Sequence, residues 1–139
     1  MCGGGELTNR IKKNFEDDNI NLKPPFPDNM LLEVTNACNH SCIFCANSKF
    51  DRRRGYIDSE LAKKILHEAH ELGTENVGFY ATGEPLMNQN LEEYIRYAKE
   101  LGYLYIYITT NGALLTKERA KRLIEAGIDS IKISLNAAN

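Results

Sequence analysis

Three of the four cysteines in this 139-residue sequence lie close together in the segment NACNHSCIFCANS, residues 36–48. Cys38, Cys42 and Cys45 have the spacing C-x3-C-x2-C, which allows three thiolates on one loop to converge on a single soft metal centre. A cubane iron–sulfur cluster has four irons, so three cysteine ligands leave one iron open to an exchangeable ligand. The odd number of thiols therefore favours a cluster with a position for a substrate or cofactor.

The same cysteines also allow a second interpretation, a structural zinc site. Such a site normally has four ligands arranged as two separated pairs. Here the fourth ligand would be Cys2, which is distant in the sequence, or His40, which lies inside the cysteine segment itself. This alternative stays open from the residues alone, although neither candidate has the spacing that is typical of zinc sites.

Three other short polar segments follow the cysteines along the chain: TGEP at 82–85, TTNG at 109–112 and SLN at 134–136. Each segment comes directly after a run of apolar and β-branched residues. Glycine next to a carboxylate or amide allows the backbone to approach a ligand closely while a polar side chain binds it. Thr110 and Asn111 are candidates of this kind, although Asn-Gly is also an ordinary turn signal.

Strands and helices are predicted to alternate through most of the chain. Helices have apolar residues on one face and glycine just beyond the end, whereas the strands are short apolar runs. The predicted strands are 30–36, 76–81, 103–109 and 130–135, and the predicted helices are 58–72, 90–101 and 116–126, with a further short helix at 7–18. Consecutive βαβ units form a parallel sheet, and their right-handed crossovers place all carboxyl ends at one edge. The fold class is therefore α/β, with the four polar segments gathered at that edge.

Composition excludes several kinds of partner. Seventeen basic and nineteen acidic residues give a net charge of −2, which argues against nucleic acid. The short basic run Arg52–Arg54 is predicted to be an exposed loop. We find no apolar run of the roughly 18 residues that a membrane span requires, so no membrane is expected. Clustered thiols indicate a reducing compartment, and the predicted location is the cytoplasm.

The cysteine spacing and the three later motifs, in this order, resemble the radical S-adenosylmethionine (radical SAM) superfamily. The resemblance implies a parallel-stranded partial (β/α) barrel, with about four strands and three helices of a six-unit core. Residues 1–29 would be an N-terminal extension with a proline-rich lead-in. Residues 30–139 would be the N-terminal part of the core, which stops after the fourth strand.

The resemblance also implies an activity, that of a radical SAM enzyme. Cys38, Cys42 and Cys45 would bind a 4Fe–4S cluster, with S-adenosylmethionine on the open iron. Reductive cleavage of this cofactor would give a 5′-deoxyadenosyl radical, which abstracts hydrogen from a substrate. Such a division of labour, with the hard chemistry on the cofactors, is general for cofactor enzymes.

Roles for individual residues follow from the same resemblance. Phe44 stands at the family's aromatic position beside the adenine. Gly83, Glu84 and Pro85 match the end of a Gly-Gly-Glu-Pro motif that holds the amino group of the methionine moiety. Thr82 stands where the first glycine of that motif is usual. Ser134, with Asn136 in the same loop, matches a position that touches the ribose or carboxylate of the cofactor.

Several expectations about partners accompany this interpretation. The substrate would be a peptide or a small metabolite, and an electron donor is required. A missing C-terminal half or a second copy would complete the barrel. The alternatives are a glycyl-radical activase and a zinc- or cluster-binding half-barrel module without turnover of its own.

Overall fold

The computed structural model describes residues 26–136, in which strands and helices alternate. The strands are parallel and pair in the order β1-β2-β3-β4. The elements are β1 (Asn29–Leu31), α1 (Ser59–Glu71), β2 (Asn76–Phe79), α2 (Leu91–Leu101), β3 (Tyr105–Thr110), α3 (Lys117–Ala126) and β4 (Ser130–Ile133). This confirms the predicted α/β fold with four parallel strands and three helices. The helix predicted at 7–18 lies outside the described residues.

The first strand is shorter than predicted. The sequence pattern indicates a strand over 30–36, but β1 ends at Leu31, and the backbone N–H of Leu32 makes the last bond toward β2, to the carbonyl of Gly78 at 2.9 Å. The apolar alternation continues because Leu32 and Val34 remain buried. After Leu32, however, the backbone partner changes: Ile57 N–H donates to the Val34 carbonyl at 3.1 Å. The chain therefore leaves the sheet before the cysteine segment.

The helix ends carry residues of the types that favour capping, although one of them makes no capping bond. Asp58 accepts a 3.0 Å hydrogen bond from Leu61 N–H at the start of α1, and Thr116 caps α3 in the same way. Gly102 ends α2 in the left-handed conformation, with φ of 103°. Asn90 occupies the N-cap position of α2, but its side chain makes no capping bond. It donates instead to the hydroxyl of Ser59, which ties the starts of α1 and α2 together.

The helices cover one face of the sheet, and the core lies between them. Apolar side chains that point to this face are almost completely buried: Val77, Phe79, Leu91, Ile95, Ile106, Ile108 and Leu123. Tyr103, Tyr105 and Tyr107 alternate along the chain, but they do not share one face of the sheet. Tyr103 precedes β3 and donates to the Leu66 carbonyl at 2.8 Å in the helix layer, whereas Tyr105 and Tyr107 stack on the opposite face.

We call this opposite side, which no helix of residues 26–136 covers, the inner face. The Tyr107 ring lies against Gly78 of the neighbouring strand, where a Cβ on that glycine would come within 2.6 Å of the ring. Lys132 of β4 places its ammonium 3.9 Å from the centre of the same ring. Stacked tyrosine rings therefore cover part of the inner face. The strands continue past them to the edge of the sheet that carries the candidate site.

Candidate functional site

The loops that follow the strands lie next to one another at the carboxyl edge of the sheet. Backbone bonds join each loop to its neighbour: Glu84 N–H donates to the Ala37 carbonyl at 2.8 Å, and Ser134 N–H donates to the Thr110 carbonyl at 2.8 Å. Asn111 N–H donates to the carboxylate of Glu84, also at 2.8 Å. The structure therefore brings the four predicted motifs to a single edge, as parallel α/β topology requires.

Glu84 is a buried predicted side chain with several hydrogen-bond donors around it. It is buried, and its Oε1 accepts from the hydroxyl of Thr110 at 2.6 Å and from Leu86 N–H at 3.0 Å. Together with the bond from Asn111, this makes three donors for one carboxylate, which has acceptor sites for about four. Oε2 consequently retains the capacity to accept one more donor. The carboxylate also begins a short 3₁₀ helix, Pro85–Met87.

Gly83 brings the backbone of its loop against the residues that precede Cys38. A Cβ built on Gly83 would lie 2.7 Å from the Ala37 carbonyl oxygen and closer still to that of Thr35. Both neighbours are backbone atoms, which cannot rotate away as a side chain can. The glycine is therefore required for the contact between this loop and the cysteine loop.

The three cysteines are free thiols of intermediate exposure on the loop between β1 and α1. Two of them accept backbone hydrogen bonds at 3.5 Å: Cys38 Sγ from His40 N–H and Cys45 Sγ from Asn47 N–H. Across residues 26–136, no three His, Cys, Asp or Glu side chains lie in a metal-binding arrangement. The donor chemistry and the position at the edge of the sheet fit a soft metal centre.

The remaining predicted residues are less closely associated with this group. Phe44 is 68% exposed at the tip of the cysteine loop. Ser134 and Asn136 are exposed beyond β4, and Ser134 contacts the Thr110 carbonyl only through its backbone. Asn111 is closer: its side-chain amide donates to Asn39 Oδ1 at 2.8 Å and lies 4.0 Å from Cys38 Sγ.

The structure adds a polar side chain that the motifs do not indicate. Glu33 lies just before the cysteine loop and accepts from Thr82 N–H at 3.1 Å, from the Thr82 hydroxyl and from Arg52 at 2.9 Å. Burial acts to raise the pKa of Glu33, but the bonds from Thr82 and Arg52 outweigh it and hold the pKa below its usual value. The sequence signal that could have indicated Glu33 is a charged residue within an apolar strand pattern.

The basic run is an exposed loop, as predicted, but two of its arginines also make specific contacts. Arg52 pairs with Glu33, and both border an open cavity of about 290 Å³. Arg54 donates to the Asn36 carbonyl and to the Asn47 carbonyl, each at 2.7 Å. Arg54 therefore joins the two ends of the cysteine loop, whereas Arg52 contacts Glu33 just before it. No feature of the sequence indicated these contacts.

A parallel α/β sheet with free thiols and a buried carboxylate at its carboxyl edge is typical of an enzyme core that holds a metal centre and a small cofactor. The family model described as Radical SAM superfamily matches residues 32–139, and the chain belongs to that superfamily. The predicted family, and with it the assignment to a class of enzymes, is confirmed.

Two curated relatives are similar over most of this chain. A PqqA peptide cyclase from Streptomyces rochei is 36% identical over 114 residues, 81% of this chain and 31% of the relative. A PqqA peptide cyclase from Bradyrhizobium diazoefficiens is 36% identical over 106 residues, 76% of this chain and 27% of the relative. The chain thus spans about a third or less of the length of these proteins.

Solved structures support the same fold. BtrN in complex with AdoMet and 2-DOIA superposes with a TM-score of 0.71 at 30% identity, over 81% of this chain and 47% of BtrN. An open conformation of BtrN gives a TM-score of 0.69 at 29% identity, over 81% of this chain and 51% of that one. This similarity is consistent with the predicted partial barrel. No helix within residues 26–136 is long and apolar enough to cross a membrane.

Proposed function

We propose that this chain holds a 4Fe–4S cluster and S-adenosylmethionine, and that it acts in reductive cleavage of that cofactor. One observation carries the proposal: the loop with three free thiols is bonded through Ala37 to the loop that carries Gly83 and Glu84. A metal centre on the first loop would therefore lie next to a carboxylate with spare acceptor capacity. Residues 30–139 would form this core, and residues 1–29 would precede it.

The proposed ligands of the cluster are Cys38, Cys42 and Cys45. When bound, the cluster supplies one electron to the sulfonium of S-adenosylmethionine, which yields methionine and a 5′-deoxyadenosyl radical for hydrogen abstraction. The protein's own contribution is to orient and enclose these groups. N–H···S bonds at Cys38 and Cys45 stabilise thiolate charge and fix the direction of each sulfur.

The second loop would bind the methionine moiety of the cofactor. Oε2 of Glu84 accepts one protein donor and retains acceptor capacity for an ammonium. Gly83 keeps the backbone of this loop within reach of the cofactor, and Thr82 is held in place by Glu33.

The rest of the cofactor would be bound by other residues at the same edge. Phe44 would cover the adenine, and Ser134 and Asn136 would contact the ribose or carboxylate. The exposure of these three residues in the structure leaves them accessible to a ligand.

We propose a peptide as the substrate class, since two relatives are named for cyclisation of a peptide. A small metabolite is the second candidate, because the structural neighbour BtrN is described in complex with 2-DOIA. A reducing cytoplasm, an electron donor and either further core strands or a second copy would complete the system.

The test is anaerobic reconstitution with iron and sulfide, followed by EPR of the reduced protein with and without S-adenosylmethionine. We expect a 4Fe–4S signal that changes when the cofactor is added, together with release of 5′-deoxyadenosine. Cys38→Ala, Cys42→Ala and Cys45→Ala should each lose the cluster, whereas Cys2→Ala should retain it. Tight zinc with no cluster, or equal loss in the Cys2 variant, would refute the proposal.

A further inference from the structure

The cysteine loop is attached to the Gly83 loop at both of its ends. At the first end, just before Cys38, Ala37 accepts from Glu84 N–H at 2.8 Å. At the second end, two residues after Cys45, the side-chain amide of Asn47 donates to the Thr82 carbonyl at 2.6 Å. The first attachment uses backbone atoms, whereas the second depends on a single side chain.

Asn47 has an environment that is unusual for an amide within a loop. It is only 4% exposed. Its Nδ2 donates to the Thr82 carbonyl and, at 3.2 Å, to the Asn36 carbonyl. Its Oδ1 accepts from Arg54, and its backbone N–H donates to Cys45 Sγ at 3.5 Å. Both amide hydrogens and the amide oxygen are therefore in use, so the side chain has one orientation that satisfies every partner.

Arg54 supports this arrangement from the returning segment. The guanidinium donates to the Asn36 carbonyl and to the Asn47 carbonyl, each at 2.7 Å. A planar, permanently charged donor with several N–H groups can bridge such carbonyls simultaneously, which a lysine ammonium does less rigidly. Asn36 precedes the three cysteines and Asn47 follows them, so Arg54 connects the two ends of the cysteine loop.

We propose that Asn47 is the positioning residue that fixes the metal-binding thiols relative to the cofactor-binding loop, with Arg54 as its support. This inference rests on the proposed function. Asn47 acts through Cys45 and Thr82, and no contact between its own side chain and the reacting groups is required. Its role is to set the distance between the thiol of Cys45 and the Thr82–Glu84 segment.

The test compares Asn47→Ala and Asn47→Asp with wild type in the full chain. The first removes both donors, and the second keeps the shape but turns a carboxylate oxygen toward two carbonyl oxygens. Asn76→Ala is the matched control, since Asn76 also donates to a backbone carbonyl, that of Asp28 at 3.2 Å, but at the opposite edge of the sheet. Iron content, thermal unfolding of the metal-free protein and the EPR response to S-adenosylmethionine are measured for each.

We expect wild type and Asn76→Ala to respond alike. Both Asn47 variants should retain cooperative unfolding without metal but bind S-adenosylmethionine about tenfold or more weakly, the loss expected for a buried hydrogen bond. The half-saturation point of the EPR change gives this affinity directly. Arg54→Gln should give an intermediate loss, and it serves as the second variant where an Asn47 variant does not fold.

The outcomes separate the two proposals. Wild type without a cluster would refute the proposed function itself. A wild-type response that is unchanged in the Asn47 variants and in Arg54→Gln would overturn only the role of Asn47. An equal loss in Asn76→Ala would also overturn it, because the effect would then report general destabilisation of the sheet.

Discussion

The hydroxyl of Thr110 donates a 2.6 Å hydrogen bond to Oε1 of Glu84, and this bond connects the end of β3 to the loop after β2. Both residues are buried, with exposures of 2% and 3%. The same hydroxyl oxygen accepts from Gly112 N–H at 3.0 Å. Thr110 thus orders two loops at once, and it holds the carboxylate that we assign to the cofactor amino group.

Thr110→Val should weaken this arrangement without changing its shape. The methyl group that replaces the hydroxyl leaves Oε1 short of one donor and Gly112 N–H without its acceptor, which costs about 1–3 kcal/mol of unfolding free energy. Urea denaturation measures this loss. Thr109→Val is the control at the adjacent position on the inner face, and it should change the unfolding free energy by less than about 0.5 kcal/mol.

Gly83→Ala should separate the two loops that build the site. The added Cβ would overlap the carbonyl oxygens of Thr35 and Ala37, so one backbone has to move. We expect a loss of about 1–3 kcal/mol in stability, as for other overpacked positions, together with loss of iron incorporation. Gly55→Ala is the matched control, because nothing lies within 4 Å of a Cβ at that position. Comparable damage in both variants would contradict the steric argument.

The stability of the protein should depend on acid pH through Glu33. Its pKa in the folded state is below the ordinary value of 4.5, so its ionised form stabilises the fold above that value. This stabilisation is lost as the pH falls through the lower folded-state pKa. Denaturation of Glu33→Gln at several pH values should show a shallower decline below about pH 5 than wild type does.

A control for this pH dependence is Glu125→Gln, which removes a carboxylate of the exposed pair with Lys121. An exposed i,i+4 pair contributes little to stability, so this variant should follow the wild-type profile. Identical acid profiles for wild type and Glu33→Gln would mean that the bonds from Thr82 and Arg52 do not stabilise the ionised form.

The inner face offers a test of the packing between β2 and β3. In Gly78→Ala the new methyl group would lie 2.6 Å from the Tyr107 ring, which is held by stacking on Tyr105 and by Lys132. We expect a loss of about 1–3 kcal/mol. Tyr107→Ala removes the obstacle, so the double variant should be more stable than the sum of the two single losses predicts. If the stability loss of the double variant equals the sum of the two single losses, the Tyr107 ring does not pack against Gly78.

Local sequence signals were sufficient for the helices and for the edge on which the site lies. Asp58, Thr116 and Gly102 have the cap positions that their residue types favour, because capping depends on a few adjacent residues. Parallel βαβ topology then places the four motifs together. These parts of the fold require no knowledge of distant contacts.

The contacts that hold the site together depend on residues far apart in the sequence, and periodicity contains no information about them. Asn47 and Thr82 are 35 positions apart, and Glu33 and Thr82 are 49 apart. A basic run such as Arg52–Arg54 has the composition of an exposed loop, so its bonds to the cysteine loop were not predicted. The early end of β1 has the same origin, since the partner that replaces β2 is the segment near Ile57.

That early change of partner has a consequence for metal capture. Thr35 pairs with Tyr56 in an isolated antiparallel bridge, and its hydroxyl donates to the Gly55 carbonyl 20 positions away. These protein contacts close the cysteine loop, so its closure entropy is a cost of folding and not of metal binding. On the proposed function, once one thiol had bound iron, the other two would reach it as intramolecular ligands, at an effective concentration on the order of millimolar or higher. We therefore expect iron, once acquired, to be retained through dilution that would strip a single-thiol site.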